Sequence, residues 1–133
     1  MAPLIARMSG AGNTFFFWNL HDQPIPAEVR PGIARFLCDS FNGFYTDGMV
    51  FIEKDPTAQA DVRWDFYNAD GSKAEMCGNA ARCAALYYHE RMGGSAKCSI
   101  LTTAGRLEAE VFEDGNVEVV LPELKDEGRM IQI

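Results

Sequence analysis

The chain has 133 residues, 47% of them hydrophobic, so it is the size of one ordinary domain and can bury a core. Its net charge of −7 argues against a nucleic-acid partner, because phosphate binding needs clustered Lys and Arg. No stretch is long and apolar enough to span a bilayer, and Met1-Ala2-Pro3-Leu4-Ile5 lacks the charged start and apolar centre of a signal peptide, so a cytoplasmic location is expected.

Leu4 to Met8 and Phe15 to Leu20 read as strands, with Ser9-Gly10-Ala11-Gly12-Asn13 as the turn that carries the Asn13 amide. After a loop through His21 and Pro26, the apolar positions Ile33, Phe36, Leu37 and Phe41 mark one face of a helix begun near Pro31, which should pack outside the sheet. Gly48 to Lys54 and Asp61 to Asn68 are strands joined across Asp55-Pro56-Thr57. In the second, Val62, Trp64 and Phe66 alternate with Arg63 and Asp65, so one face is core and the other wet. Asn68, Asp70, Gly71 and Ser72 then form a tight turn.

A helix is predicted from about Asn79 to Met92, ended by Gly93-Gly94. Its apolar residues cover two neighbouring faces and those in its first two turns are small, which suits a central helix closely wrapped by strands. Cys98 to Thr103, Leu107 to Phe112 and Val117 to Leu121 read as three more strands, the last reached through a Gly115-Asn116 turn. The expected fold is α+β, a mixed β-sheet curled into a barrel around a central helix. Residues 1–133 form a single domain without repeat or linker.

The four cysteines, at 38, 77, 83 and 98, could in principle pair, but a chain with no export signal and ample apolar residues has no need of disulfide staples. Cys38 and Cys83 fall on apolar helix faces and Cys98 in a strand pattern, so all three read as buried, inert thiols. No C-x-x-C occurs and His21 and His89 are far apart, so no metal site is expected.

Cys77 is placed differently. Cys77, Gly78 and Asn79 come just before the strong helix former Ala80-Ala81-Arg82-Cys83-Ala84-Ala85-Leu86, where backbone N–H groups lack intrahelical partners and the helix dipole favours negative charge. A thiol there can serve as a base, and the same donors can hold a ligand carboxylate, with Gly78 allowing close backbone approach. The blander readings are a small capping cysteine at 77 and ordinary turn asparagines at 13 and 68. Asp70, Glu75 and Arg82 read as solvated or capping charges, and Asp47 is balanced between loop capping and site architecture.

The run Asn68-Ala69-Asp70-Gly71-Ser72, a short spacer, then Cys77-Gly78-Asn79-Ala80-Ala81-Arg82 resembles the signature of diaminopimelate epimerases, roughly F-N-A-D-G-S followed by C-G-N-G-A-R. Met8-Ser9-Gly10-Ala11-Gly12-Asn13-Thr14-Phe15 is similar to the family's H-G-x-G-N-D-F, and Thr46-Asp47-Gly48-Met49-Val50 is a weaker third match. The resemblance implies an amino-acid epimerase, most readily one interconverting LL- and meso-diaminopimelate for lysine and peptidoglycan-precursor synthesis. Such enzymes work without pyridoxal phosphate or metal, with one cysteine on each face of the substrate's α-carbon. It implies Cys77 as one of those cysteines, and Asn13, Asn68, Gly78 and Asn79 as substrate-binding residues.

The family's second Cys-Gly-Thr-type motif, and the Glu-Arg pair before it, have no counterpart in the sequence. The expectation is therefore the equivalent of the amino-terminal domain of a two-domain epimerase, as a fragment or as one part of a split protein. Its partners would be the amino-acid substrate and either the missing carboxy-terminal half or a second copy. Ala80 stands where the family has glycine, Thr14 replaces an aspartate, and Asn42-Gly43-Phe44-Tyr45 departs from the family's loop; these bear on which amino acid fits. The alternative is a non-catalytic amino-acid-binding or assembly module of the same fold. A cysteine hydrolase is disfavoured because neither histidine is visibly placed to pair with Cys77, and the Met-Cys-Gly-Asn stretch speaks against a phenazine-biosynthesis-type isomerase.

Overall fold

The computed structural model describes residues 5–39 and 45–120. The strand start expected at Leu4, the helical Phe41, the Asn42-Gly43-Phe44 stretch and the strand end at Leu121 lie outside them.

β1 (Ile5–Gly10) and β2 (Asn13–Asn19) form a hairpin whose ladder runs to the Gly10–Asn13 pair, leaving Ala11-Gly12 as the whole turn. Both turn residues have positive φ, 50° and 91°, the geometry that matches the right-handed twist of paired strands. The five-residue turn expected from Ser9 to Asn13 is thus corrected: Asn13 is the first residue of a strand, fixed by the ladder.

A short 3-10 turn, Ala27–Val29, leads into α1 (Arg30–Cys38), followed by β3 (Gly48–Lys54), β4 (Val62–Asn68), α2 (Gly78–Arg91), β5 (Lys97–Thr102), β6 (Gly105–Val111) and β7 (Val117–Val120). All seven strands lie in one sheet in sequence order. β2–β3 and β4–β5 are parallel and the other neighbours antiparallel, so α1 and α2 are the crossovers that the two parallel pairs require. α2 packs against β1 and β2 and also against β5, β6 and β7. Because both ends of the sheet reach one helix, the sheet curls into a half-barrel around it.

Both faces of the middle strands are covered, which explains the unbroken apolar run from Phe15 to Trp18. Phe15, Phe17, Val50 and Ile52 point inward to Ala80, Ala81, Ala84 and Ala85 of α2, whose short side chains let the sheet approach the helix closely. Phe16, Trp18, Met49 and Phe51 point outward beneath Ala34 and Cys38 of α1, as expected for an outer helix.

The outer face of β4 is less wet than its alternation suggests. Arg63 pairs with Glu53 at 2.8 Å, while Asp65 takes Arg30 from the start of α1 at 2.9 Å, the Tyr67 hydroxyl at 2.8 Å, and Lys73. Burial alone would raise the pKa of Asp65, but the bonds from Lys73, Arg30 and Tyr67 outweigh it and hold the carboxyl below its usual range. Tyr67 moves the other way, pushed up to about 12 by burial and by the neighbouring carboxylate.

Candidate active site

The polypeptide reaches Cys77 through a turn that folds back on β4. Asn68 donates its N–H to Ser72 O at 2.8 Å and its side-chain amide to Ser72 Oγ at 3.0 Å, and Ala74 N–H bonds Phe66 O at 2.9 Å. Asp70 accepts the Ser72 hydroxyl at 2.6 Å and N–H at 2.9 Å, bonds that hold its carboxyl below the usual range. Lys73 ties the returning strand to Asp65. Opposite Asn68 lies Gly48, where a Cβ would sit 2.7 Å from Tyr67 O, so only glycine lets β3 come this close to β4.

Cys77 is the N-cap of α2, with extended backbone (φ −134°, ψ 124°) and a thiol that makes no cap hydrogen bond. The helical ladder begins with Ala81 N–H to Cys77 O at 2.9 Å, so the N–H groups of Gly78, Asn79 and Ala80 precede it. All four cysteines are free. Cys38, Cys83 and Cys98 are at most 4% exposed, whereas Cys77 is half-buried against the inner core. Burial pushes the Cys83 and Cys98 thiols up to about 11, aided by the charge of Cys77 in the first case and of Asp61 and Glu108 in the second. Cys38 is also raised by burial, against a hydrogen bond from Thr46.

The hairpin and the helix meet at Gly10, where a Cβ would lie 3.2 Å from Cys83 Sγ. With no side chain there, Asn13 reaches the first turn of α2. Asn79 Nδ2 donates to Asn13 Oδ1 at 2.7 Å, Asn13 Nδ2 donates to Asp47 Oδ2 at 3.3 Å, and Arg82 Nη1 donates to Asn79 Oδ1 at 3.0 Å. Asp47 is itself fixed by Thr14 N–H at 2.9 Å and the Tyr45 hydroxyl at 3.4 Å. Thr14 Oγ1 lies 3.2 Å from Ser9 Oγ, so the hydroxyl that replaces the aspartate of the resembled motif pairs with a second hydroxyl.

Asn13 therefore meets Asn79 in the first turn of the helix that Cys77 caps and Gly78 begins, while Asn68 bonds within its own turn. Two residues carry more of this arrangement than the sequence suggested. Asp47 had a signal in the Thr46-Asp47-Gly48 run. Arg82 had one in its spacing, since a residue three places beyond Asn79 on a helix lies over it. Among the described residues no cluster of His, Cys, Asp or Glu is arranged to hold a metal ion, and no helix is long and apolar enough to cross a membrane.

A family model described as diaminopimelate epimerase matches residues 5–124. Similar curated proteins include the diaminopimelate epimerase of Hydrogenobaculum sp. (strain Y04AAS1), 33% identical over 98% of this chain and 49% of the relative. That of Desulforudis audaxviator (strain MP104C) is 40% identical over 86% of this chain and 40% of the relative. The chain thus spans about half the length, or less, of these relatives. Among solved structures, methylitaconate-delta-isomerase superposes with a TM-score of 0.66 at 22% identity, covering 97% of this chain and 39% of that one. A phenazine biosynthesis protein of the PhzF family from Bacillus anthracis gives a TM-score of 0.66 at 18% identity, over 90% and 40%. At these identities the two structures establish the fold alone.

Proposed function

The chain belongs to the diaminopimelate epimerase family, and from that membership we propose that it supplies one side of an amino-acid epimerase site in which Cys77 is one of two acid/base thiols. The observation that carries this reading is the contrast among the cysteines. Three are buried, and the one left accessible stands at a helix N-terminus beside the Asn13–Asn79 pair.

The α-proton of an amino acid is a very weak acid, so its removal needs a base held against it and a means of spreading the resulting charge. In this reading the substrate carboxylate lies at the start of α2, where the N–H groups of Gly78 and Asn79 steady it as negative charge moves onto it from the α-carbon. The Cys77 thiolate takes the proton and becomes a thiol. A second thiol gives its proton to the opposite face and is left as thiolate, which inverts the centre. Epimerisation in the other direction reverses the two roles.

Because the acceptor and donor must face opposite sides of one carbon, Cys77 needs a counterpart. The three buried cysteines do not provide it, so the proposal places it on residues equivalent to the unmatched part of the relatives or on a second copy. LL- and meso-diaminopimelate are the proposed substrates, and a cytoplasmic setting in lysine biosynthesis is part of the same reading.

The test is a stereochemical assay of the 133 residues alone and mixed with the carboxy-terminal portion of a relative such as the Desulforudis protein. Turnover should be lost with Cys77→Ala; turnover only in the mixture puts the second thiol on the carboxy-terminal portion, and turnover by a dimer of the 133 residues alone puts it on a second copy. Binding of diaminopimelate without turnover in any mixture would favour an amino-acid-binding module.

A further inference from the structure

We infer that Asp47 and Arg82 are positioning residues that fix which way the side-chain amides of Asn13 and Asn79 face, turning the pair into a surface of N–H donors. The inference deepens the proposed function and rests on it for the identity of the ligand. It follows from the charges at the two ends of one hydrogen-bonded line.

A carboxylate only accepts and a guanidinium only donates. Asp47, at one end, therefore faces Asn13 Nδ2 at 3.3 Å, which turns Asn13 Oδ1 to Asn79 Nδ2 at 2.7 Å. Arg82, at the other end, demands Asn79 Oδ1, at 3.0 Å. The two ends impose the same polarity. Flipping Asn13 would set its oxygen against Asp47, and flipping Asn79 would set its NH2 against Arg82; each flip also breaks the bond between the two amides.

In this polarity each amide has its oxygen engaged and, among the described residues, one N–H left over. The partner chemistry that suits two unused donors is an acceptor, here the carboxylate of an amino acid, in preference to its ammonium group. Asp47 is well placed to hold the orientation because Thr14 N–H, at 2.9 Å, anchors the same oxygen that receives Asn13. Arg82 reaches the line from the exposed surface of α2, so it is the weaker of the two constraints.

Asp47→Asn keeps shape and can keep one oxygen on both Thr14 N–H and Asn13, so it preserves the polarity, whereas Asp47→Ala removes the acceptor that faces Asn13 and releases it. In the reconstituted enzyme Asp47→Ala should raise KM for diaminopimelate about tenfold, the scale of one or two neutral hydrogen bonds, with kcat changed by less than about twofold, and Asp47→Asn should stay near wild type. Arg82→Gln should raise KM by about threefold and Arg82→Lys, which keeps a cationic donor, should restore it. Independently, the side-chain NH2 resonances of Asn13 and Asn79 in the 15N-labelled chain should be protected from water exchange, lose that protection in Asp47→Ala and keep it in Asp47→Asn.

Unaltered NH2 protection in Asp47→Ala, or an unaltered KM for that variant, would overturn the inference. Should the wild-type mixture fail to epimerise diaminopimelate, the proposed function falls, and the NH2 signals still decide the orientation by themselves.

Discussion

Asn79 and Asn13 lie 66 positions apart in sequence, yet the amide of one donates to the carbonyl of the other at 2.7 Å. This bond joins the β1–β2 hairpin to the N-terminus of α2, the junction at which Cys77 stands. Gly10, with no side chain, eases the close approach of the hairpin to Cys83 of that helix.

Reactivity should distinguish the four thiols. Cys77 is expected to be alkylated first by iodoacetamide in the folded chain, with Cys38, Cys83 and Cys98 reacting only on the timescale of opening, because all three are buried with raised pKa values. Peptide mapping after brief labelling checks this. Faster labelling of Cys38 or Cys98 would remove Cys77 from its assigned place.

Gly48→Ala should destabilise the fold by about 1–3 kcal/mol, since the added methyl meets backbone oxygen rather than a movable side chain. The contact is Tyr67 O, 2.7 Å from the new Cβ. Gly10→Ala meets Cys83 Sγ at 3.2 Å, a contact that a small side-chain shift relieves, and should cost less. Urea denaturation of the two variants gives the order.

Stability should fall at both ends of the pH scale for different reasons. The Cys83 and Cys98 thiols are pushed up to about 11 from an ordinary 9.0, so the native state retains protons that the unfolded chain has released. Their contribution is fully present below pH 9, and it is lost as the pH rises through about 11, on the order of 1–3 kcal/mol per thiol. Asp65 is lowered instead, so its contribution is present above 3.8 and is lost as the pH falls through its depressed native value. Melting curves from pH 3 to about 11 should show both limbs. Replacing Cys83 and Cys98 by alanine should flatten the alkaline one, and Asp65→Asn should flatten the acid one while costing about 2–3 kcal/mol near neutrality.

Periodicity carried the elements and the place of both helices, because it reports which side chains are buried. It carried less where geometry depends on an unexpected residue or a distant partner. Ala11 at φ 50° is an alanine in a conformation usually left to glycine or asparagine, so the sequence hides its tight turn and suggests a loop at Asn13 where a strand begins. Asp65 reads as a solvated residue because one of its two cations, Arg30, comes from a helix 35 positions earlier, and the other, Lys73, reaches it only once the turn folds back. Asp47 and Arg82 were ambiguous for a similar reason: what they do depends on Asn13, itself brought in from the hairpin. Cys77 stood out because its whole setting, strand, turn, thiol and helix, is contiguous in the chain.

The most direct measurement of the central claim is isotope incorporation at the α-carbon. Diaminopimelate incubated in D2O with the reconstituted enzyme should gain deuterium there, and Cys77→Ala should slow that gain by about a hundredfold or more, the scale of a lost general base, while Cys98→Ala leaves it intact. Deuterium gain in Cys77→Ala within tenfold of wild type would contradict the assignment of Cys77 as the acid/base residue of this chain.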